Sequence, residues 1–128
     1  MHRILVRKDS NAPIQTVEVP LGSMYDALVT GLNGGYMEHI NLQVDGVWLD
    51  IWLDEEGKLK GLPVNLAVPG DALVGPIVIT GPADDEGRTI GLSPEEEAAA
   101  RNLFAGTARE VKWPQVSYEG WDTVIEVK

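Results

Sequence analysis

The chain has 128 residues, is 44% hydrophobic, and carries twenty acidic against ten basic residues, a formal charge of −10. That length suits one domain, residues 1–128, burying roughly two-thirds of the surface its unfolded chain exposes. The absence of cysteine excludes disulfides, zinc–thiolate sites and cysteine nucleophiles, and the acidic field opposes direct contact with nucleic acid or an anionic membrane.

No apolar run approaches the roughly 18 residues of a membrane-spanning helix. The opening "MHRILVRKDS" has only three consecutive apolar residues, Ile4 to Val6, too few for a signal-peptide core. A cytoplasmic setting is the expectation. "RILVR" and "IQTVEV" are β-rich runs separated by "DSNAP", and this turn composition predicts a hairpin of Arg3–Lys8 with Ile14–Val19. "SMYDALVTGLNGG" predicts a helix capped by Ser23, with Asp26 in a capping-box-like position. Tyr25, Leu28, Val29 and Leu32 fall on one face. Asn33, Gly34 and Gly35 tolerate positive φ and stop it.

"YMEHINLQV" alternates, Asp45-Gly46 follows, and "VWLDIWLD" alternates again. Asp-Gly between alternating runs predicts a β-hairpin over 36–54 with a fixed register. In that register Val44 faces Val47, Leu42 faces Leu49 and Ile40 faces Ile51. On the other side Gln43 faces Trp48, Asn41 faces Asp50 and His39 faces Trp52. One face is apolar in every pair except Glu38–Leu53, so a helix over "VWLDIWLD" is rejected.

"DEEGKLKGLPVN" reads as a charged turn with a tight element after it. "GDALVGPIVITGP" reads as one strand-like run whose Pro76 marks an edge or bulge. "ADDEGRTIG" is a turn with a short strand at Thr89–Gly91. "SPEEEAAARNLFAG" is the clearest helix. Ser93 caps it, Pro94 takes the first position, Glu96 closes the capping box and Gly106 ends it. The tail "REVKWPQVSYEGWDTVIEVK" reads as a second hairpin around Glu119-Gly120, with Pro114 breaking or bulging its first strand. The expected fold is α+β, a mainly antiparallel sheet with two helices. Its core should include Ile4, Val6, Leu28, Leu32, Ile40, Leu42, Leu49, Ile51, Ile77, Ile79 and Phe104.

The order "GGYMEHI", "EEGKLKGLPVN", "LVGPIVITG", "DDEG" and "GLSPEE" resembles the domain-of-unknown-function family 3846. The resemblance covers Gly35 to Phe104, a family-like core, with the N-terminal hairpin and helix matching in outline and the segment 107–128 an added hairpin. Family members often follow the Asn of "GLPxN" with a basic residue, where this chain has Leu66. The resemblance implies a phage or mobile-element origin and a bacterial host cytoplasm. It implies no reaction.

No HExxH pattern, Walker loop or EF-hand spacing occurs, two histidines are poor material for a metal site, and no cofactor is expected. Asp50 and Asp54, about 13 Å apart along a strand, exceed the carboxylate separation of glycosidases and read as solvated charges. His39 beside Asp50 and Trp52 reads as a structural surface histidine or, alternatively, an acid–base group. Asn65 reads as a turn or cap residue, with ligand binding the alternative. The candidate surface is the face of His39, Trp48, Asp50, Trp52 and Asp54. Either the first helix or the tail covers it, leaving the tryptophans in the core and the aspartates at the rim, or it binds a protein partner. Trp is enriched at interface hot spots, and Asp selects a basic partner.

The expectation is a non-catalytic accessory protein. The alternative is an acidic DNA mimic whose Asp50, Asp54, Glu55, Glu56, Asp84, Asp85 and Glu86 imitate phosphates; an enzyme is a third reading. Trp113, Tyr118 and Trp121 make the tail too aromatic to stay free in water. It should join or cover its own sheet, with a homodimer through the tail or an open sheet edge as the other outcome.

Overall fold

A computed structural model describes residues 1–34, 36–116 and 122–127. In chain order the elements are β1 (His2–Arg7), β2 (Gln15–Val19), α1 (Met24–Gly31), β3 (Met37–Val44), β4 (Val47–Asp54), β5 (Val64–Val68), β6 (Asp71–Val74), β7 (Ile77–Thr80), α2 (Pro94–Ala105), β8 (Val111–Val116) and β9 (Asp122–Val127). Seven strands form one sheet in the order β2-β1-β7-β4-β3-β8-β9, and β5 pairs with β6 in a separate ribbon. Every pairing is antiparallel. The fold is α+β.

The β3–β4 hairpin has the register that the alternation dictates, from Val44 opposite Val47 to His39 opposite Trp52. Asp45 and Gly46 take φ of 49° and 83°, the paired positive values that let a two-residue turn follow the strand twist. Alternate residues therefore face opposite sides. Leu42, Leu49, Ile51, Ile77 and Ile79 pack under α2 and the β5–β6 ribbon, with Leu103 and Phe104 above them. Ile4, Val6 and Val78 face the other way and are covered by Met24, Leu28 and Leu32 of α1 and its end. Of the expected core, Ile40 alone is only partly buried.

Helix α2 carries the full capping box. The Ser93 side chain accepts from the Glu96 amide, the Glu96 carboxylate accepts from the Ser93 amide, and Gly106 closes the helix at φ 73°. Helix α1 differs from expectation. Ser23 makes no side-chain cap bond, and Tyr25 is 67% exposed while Met24 is buried in its place.

The segment after β4 is also corrected. "GDALVGPIVITGP" is two strands, β6 and β7, in different sheets, and Pro76 sits in the break between them. β7 lies between β1 and β4, so it is a central strand and not an edge. The preceding "VNLAV" is strand β5, with a register shift between Val64 and Leu66. Residues 89–91 form no strand, yet this stretch bonds along β1 beyond the end of β7: Gly91 N–H donates to His2 Nδ1 at 2.9 Å and Leu92 N–H to the Arg3 carbonyl at 2.8 Å.

The tail extends the main sheet. β8 pairs with β3 at Val111 and Lys112, and β9 pairs with β8 without a register shift across Pro114. Pro114 therefore breaks neither strand, and the β3 pairing stops before it. The expected turn at Glu119-Gly120, together with Tyr118 and Trp121, lies outside the described residues. No helix among the described residues is long and apolar enough to cross a membrane.

Candidate functional site

The face shared by His39, Asp50 and Trp52 is a bonded cluster. β4 projects Asp50 and Trp52 to the same side, β3 brings His39 opposite Trp52, and β7 brings Thr80 opposite Asp50. The imidazole of His39 stacks on Trp52 with ring centres 4.5 Å apart, and its Nε2 lies 3.0 Å from Asp50 Oδ2. The Trp52 indole N–H donates to Thr80 Oγ1 at 2.9 Å, and the Thr80 hydroxyl donates to the Gly81 carbonyl. Stacking and two directed bonds fix both rings.

The order of burial is the reverse of that expected from the sequence. Asp50 is 3% and Asp54 5% exposed, while Trp48 and Trp52 are half-buried. Neither aspartate is a solvated rim charge. The reason is that each has local partners. Asp54 Oδ2 accepts from Lys60 Nζ at 2.7 Å and its Oδ1 from the Glu56 amide at 2.9 Å, so it folds the 55–61 turn back onto the hairpin. Asp50 has His39. Asp50 and Asp54 are thus withdrawn from solvent, and Asp84 and Glu86 are paired with Arg88, which leaves few of the seven supposed phosphate mimics free.

Burial raises the Asp50 carboxyl above the ordinary carboxylate range; the bond from His39 opposes this, and Glu96 adds to it. Asp54 is shifted the other way by its bond from Lys60. For Asp50 the sign follows from linkage. The folded protein holds the Asp50 proton more tightly than the unfolded chain. Its charge therefore costs stability at neutral pH, and the cost is relieved as pH falls through the raised pKa toward the unfolded value of about 3.9. Asp50→Asn keeps the shape and removes the charge. Its stability relative to the wild type should be most favourable near neutrality and decline on acidification, as read by urea unfolding at a series of pH values. A variant whose relative stability improves as pH falls would contradict this assignment.

Beside Trp52 opens a cleft of about 690 Å³. Trp52, Met37 and the buried Met24 and Leu28 line it with apolar surface, exposed Leu21 and Tyr25 stand at its rim, and Asp84, Arg88, Thr89 and Ile90 complete its lining. Leu21 is 76% exposed. Of the five residues singled out from the sequence, only Trp52 lines it. His39 stacks on Trp52 and is held by Asp50, and Asp54, at the end of β4, is bonded to the turn that follows. Sequence reasoning places Tyr25 on the buried face of the first helix and Arg88 in a turn, and it does not single out Leu21, which precedes α1.

Asn65, expected at a turn or cap, is buried in β5. Its side chain accepts from Arg7 Nε at 2.9 Å and donates to the carbonyls of Arg7 at 2.6 Å and Gly75 at 2.9 Å. Arg7, itself buried, also donates to the Asn65 and Phe104 carbonyls and lies 4.4 Å over the Phe104 ring. The Phe104 carbonyl is in the last turn of α2, where the helix dipole presents negative charge. Arg7 makes no ion pair among the described residues, so these dipoles are its direct partners; burial lowers its pKa, and the charge of Asp9 opposes this.

No cluster of three or more His, Cys, Asp or Glu placed for a metal ion occurs among the described residues. The site combines an apolar cleft with one rigid aromatic pair and a charged wall, the composition of a binding surface. The chain belongs to the family described as Domain of unknown function (DUF3846), whose pattern matches residues 1–105. The match includes the N-terminal hairpin and α1, which extends the resemblance beyond Gly35 to Phe104, and it stops short of the β8–β9 hairpin. No curated protein and no solved structure matches the chain.

Proposed function

We propose that this is a non-catalytic accessory protein of a phage or mobile element, acting in the bacterial cytoplasm by binding a host or phage protein at the Trp52 cleft. The observation that carries this reading is the cleft itself: an apolar lining open to solvent, flanked by exposed Leu21 and Tyr25 and completed by Arg88 and Asp84. Tyr, Trp and Arg around an apolar centre are the residue types that dominate interface energetics. The charge of −10 favours a basic partner by steering its approach. The His39–Asp50 contact resembles acid–base machinery, but His39 does not line the cleft and Asp54 turns to Lys60, so binding is better supported than turnover.

The test is comparative capture from a host lysate. Leu21→Ser/Tyr25→Ala alters exposed side chains and should leave thermal unfolding unchanged while abolishing recovery of a specific protein. Leu59→Ser, at a residue 86% exposed outside the cleft, should recover it fully. Identical recovery by wild type and the Leu21/Tyr25 variant would reject the cleft as the contact surface.

A further inference from the structure

A second groove lies on the opposite side of α1, and it borders a sheet edge. Among the described residues β2 pairs only with β1, and no backbone bond outside the regular elements involves residues 15–19. In an antiparallel pair alternate residues point their N–H and C=O groups away from the partner, so the outer side of β2 is a row of open donors and acceptors. The groove beside it measures about 470 Å³. Ile4, Val6, Val17 and Val19 line it from the sheet and Ala27 from α1, with Asp26 and Lys8 also at its walls. Neither Asp26 nor Lys8 enters an ion pair among the described residues.

Glu18 also lines the groove but is paired with Arg3, and the remaining two charges lie toward opposite ends. Lys8 follows β1 beyond the Val6–Gln15 pair, at the start of β2. Asp26 is in the first turn of α1, which begins shortly after β2 ends at Val19. A strand added antiparallel to β2 enters at the Asp26 end and leaves at the Lys8 end. We propose that the β2 edge is a strand-addition site for an extended segment of another protein. That segment carries bulky apolar side chains on every second residue, a Lys or Arg toward its N-terminal end, and a carboxylate toward its C-terminal end. Main-chain bonds to β2 supply affinity, and the groove reads the alternate side chains. A second copy of β2 fits less well, because on the α1 side it offers only Gln15, Val17 and Val19, too little bulk for the groove. This surface is separate from the Trp52 cleft and does not depend on it.

The probe is the blocked peptide Lys-Thr-Leu-Thr-Leu-Thr-Glu, titrated into the full-length 15N-labelled protein. Saturable amide shifts should centre on residues 15–19 and the groove side of α1. Exchanging the terminal Lys and Glu should weaken binding about threefold, the size of exposed ion-pair effects. N-methylation of one set of alternate peptide nitrogens should weaken it roughly tenfold through lost main-chain bonds, and methylation of the other set should not. The proposal is overturned by shifts centred elsewhere, by no saturable shift, or by equal binding of both methylated peptides or of the charge-exchanged peptide. Concentration-dependent shifts at 15–19 without peptide, with doubled mass by light scattering, would assign the edge to a second copy and overturn it as well.

Discussion

Asn65→Ala is expected to lower the unfolding free energy by about 3–5 kcal/mol, the range for breaking a buried charged network by removing one partner. Asn65 closes a ring of contacts between β1, β5 and the loop at Gly75. Alanine leaves the Arg7 Nε–H without its acceptor and the Arg7 and Gly75 carbonyls without their donor. The Arg7 guanidinium is only 8% exposed with its residue, so water cannot replace the lost bonds without opening the packing over Phe104. Urea unfolding of the wild type, Asn65→Ala, Arg7→Met and Arg7→Met/Asn65→Leu gives the measurement. The double variant should be less destabilised than the sum of its parts, because removing both partners leaves no orphaned charge. A loss below about 1 kcal/mol for Asn65→Ala, the value of one ordinary hydrogen bond, would show that Arg7 does not need its clamp.

The same clamp shows where sequence reasoning stops. Alternation reports which side of a strand a residue takes, and the Asp45-Gly46 turn fixes register; together they place His39 opposite Trp52 and Ile40 opposite Ile51 as found. The capping chemistry of Ser93, Pro94 and Glu96 is equally local and equally legible. Alternation does not report what lies over a face. Asp50 and Asp54 share a side with two tryptophans, and their burial depends on His39 and on Lys60, which folds back from the turn after β4. In "RILVRK" nothing distinguishes buried Arg7 from a solvated strand end, because its acceptors come from positions 65 and 104. The split between β6 and β7 did have a signal. Gly75-Pro76 is a turn dipeptide, Gly75 has φ 77°, and the apolar residues on either side made it read as a bulge within one strand.

Gly91→Ala is expected to destabilise the protein by about 3 kcal/mol, combining overpacking with lost backbone bonds, and to deform the Trp52 cleft. Gly91 is not among the glycines with positive φ, so alanine would suit its backbone. By limiting the freedom of the unfolded chain, such a change at an open site adds about 0.4–1 kcal/mol of stability. Space reverses the sign. A Cβ on Gly91 would lie 2.6 Å from the Arg3 nitrogen and 2.8 Å from His2 Cα. These are backbone atoms, and they cannot step aside. His2 and Arg3 are paired with Val19 and Glu18 of β2, and the Arg3 side chain is bonded to Glu97 at 2.7 Å. The 89–92 segment must therefore retreat. That retreat strains the Leu92 bond to Arg3, the Gly91 bond to His2 and the Gly81 bond to the Ile90 carbonyl at 3.1 Å. It also moves Arg88, Thr89 and Ile90, which wall the cleft. Native-state hydrogen exchange should show faster exchange of the Gly81 and Leu92 amides, with the β3–β4 ladder changed only through global stability. Partner capture should fall as it does for Leu21→Ser/Tyr25→Ala, whose unfolding is unchanged. Wild-type stability together with full protection at Gly81 and Leu92 would mean that β1 and the 89–92 segment are not held at this separation.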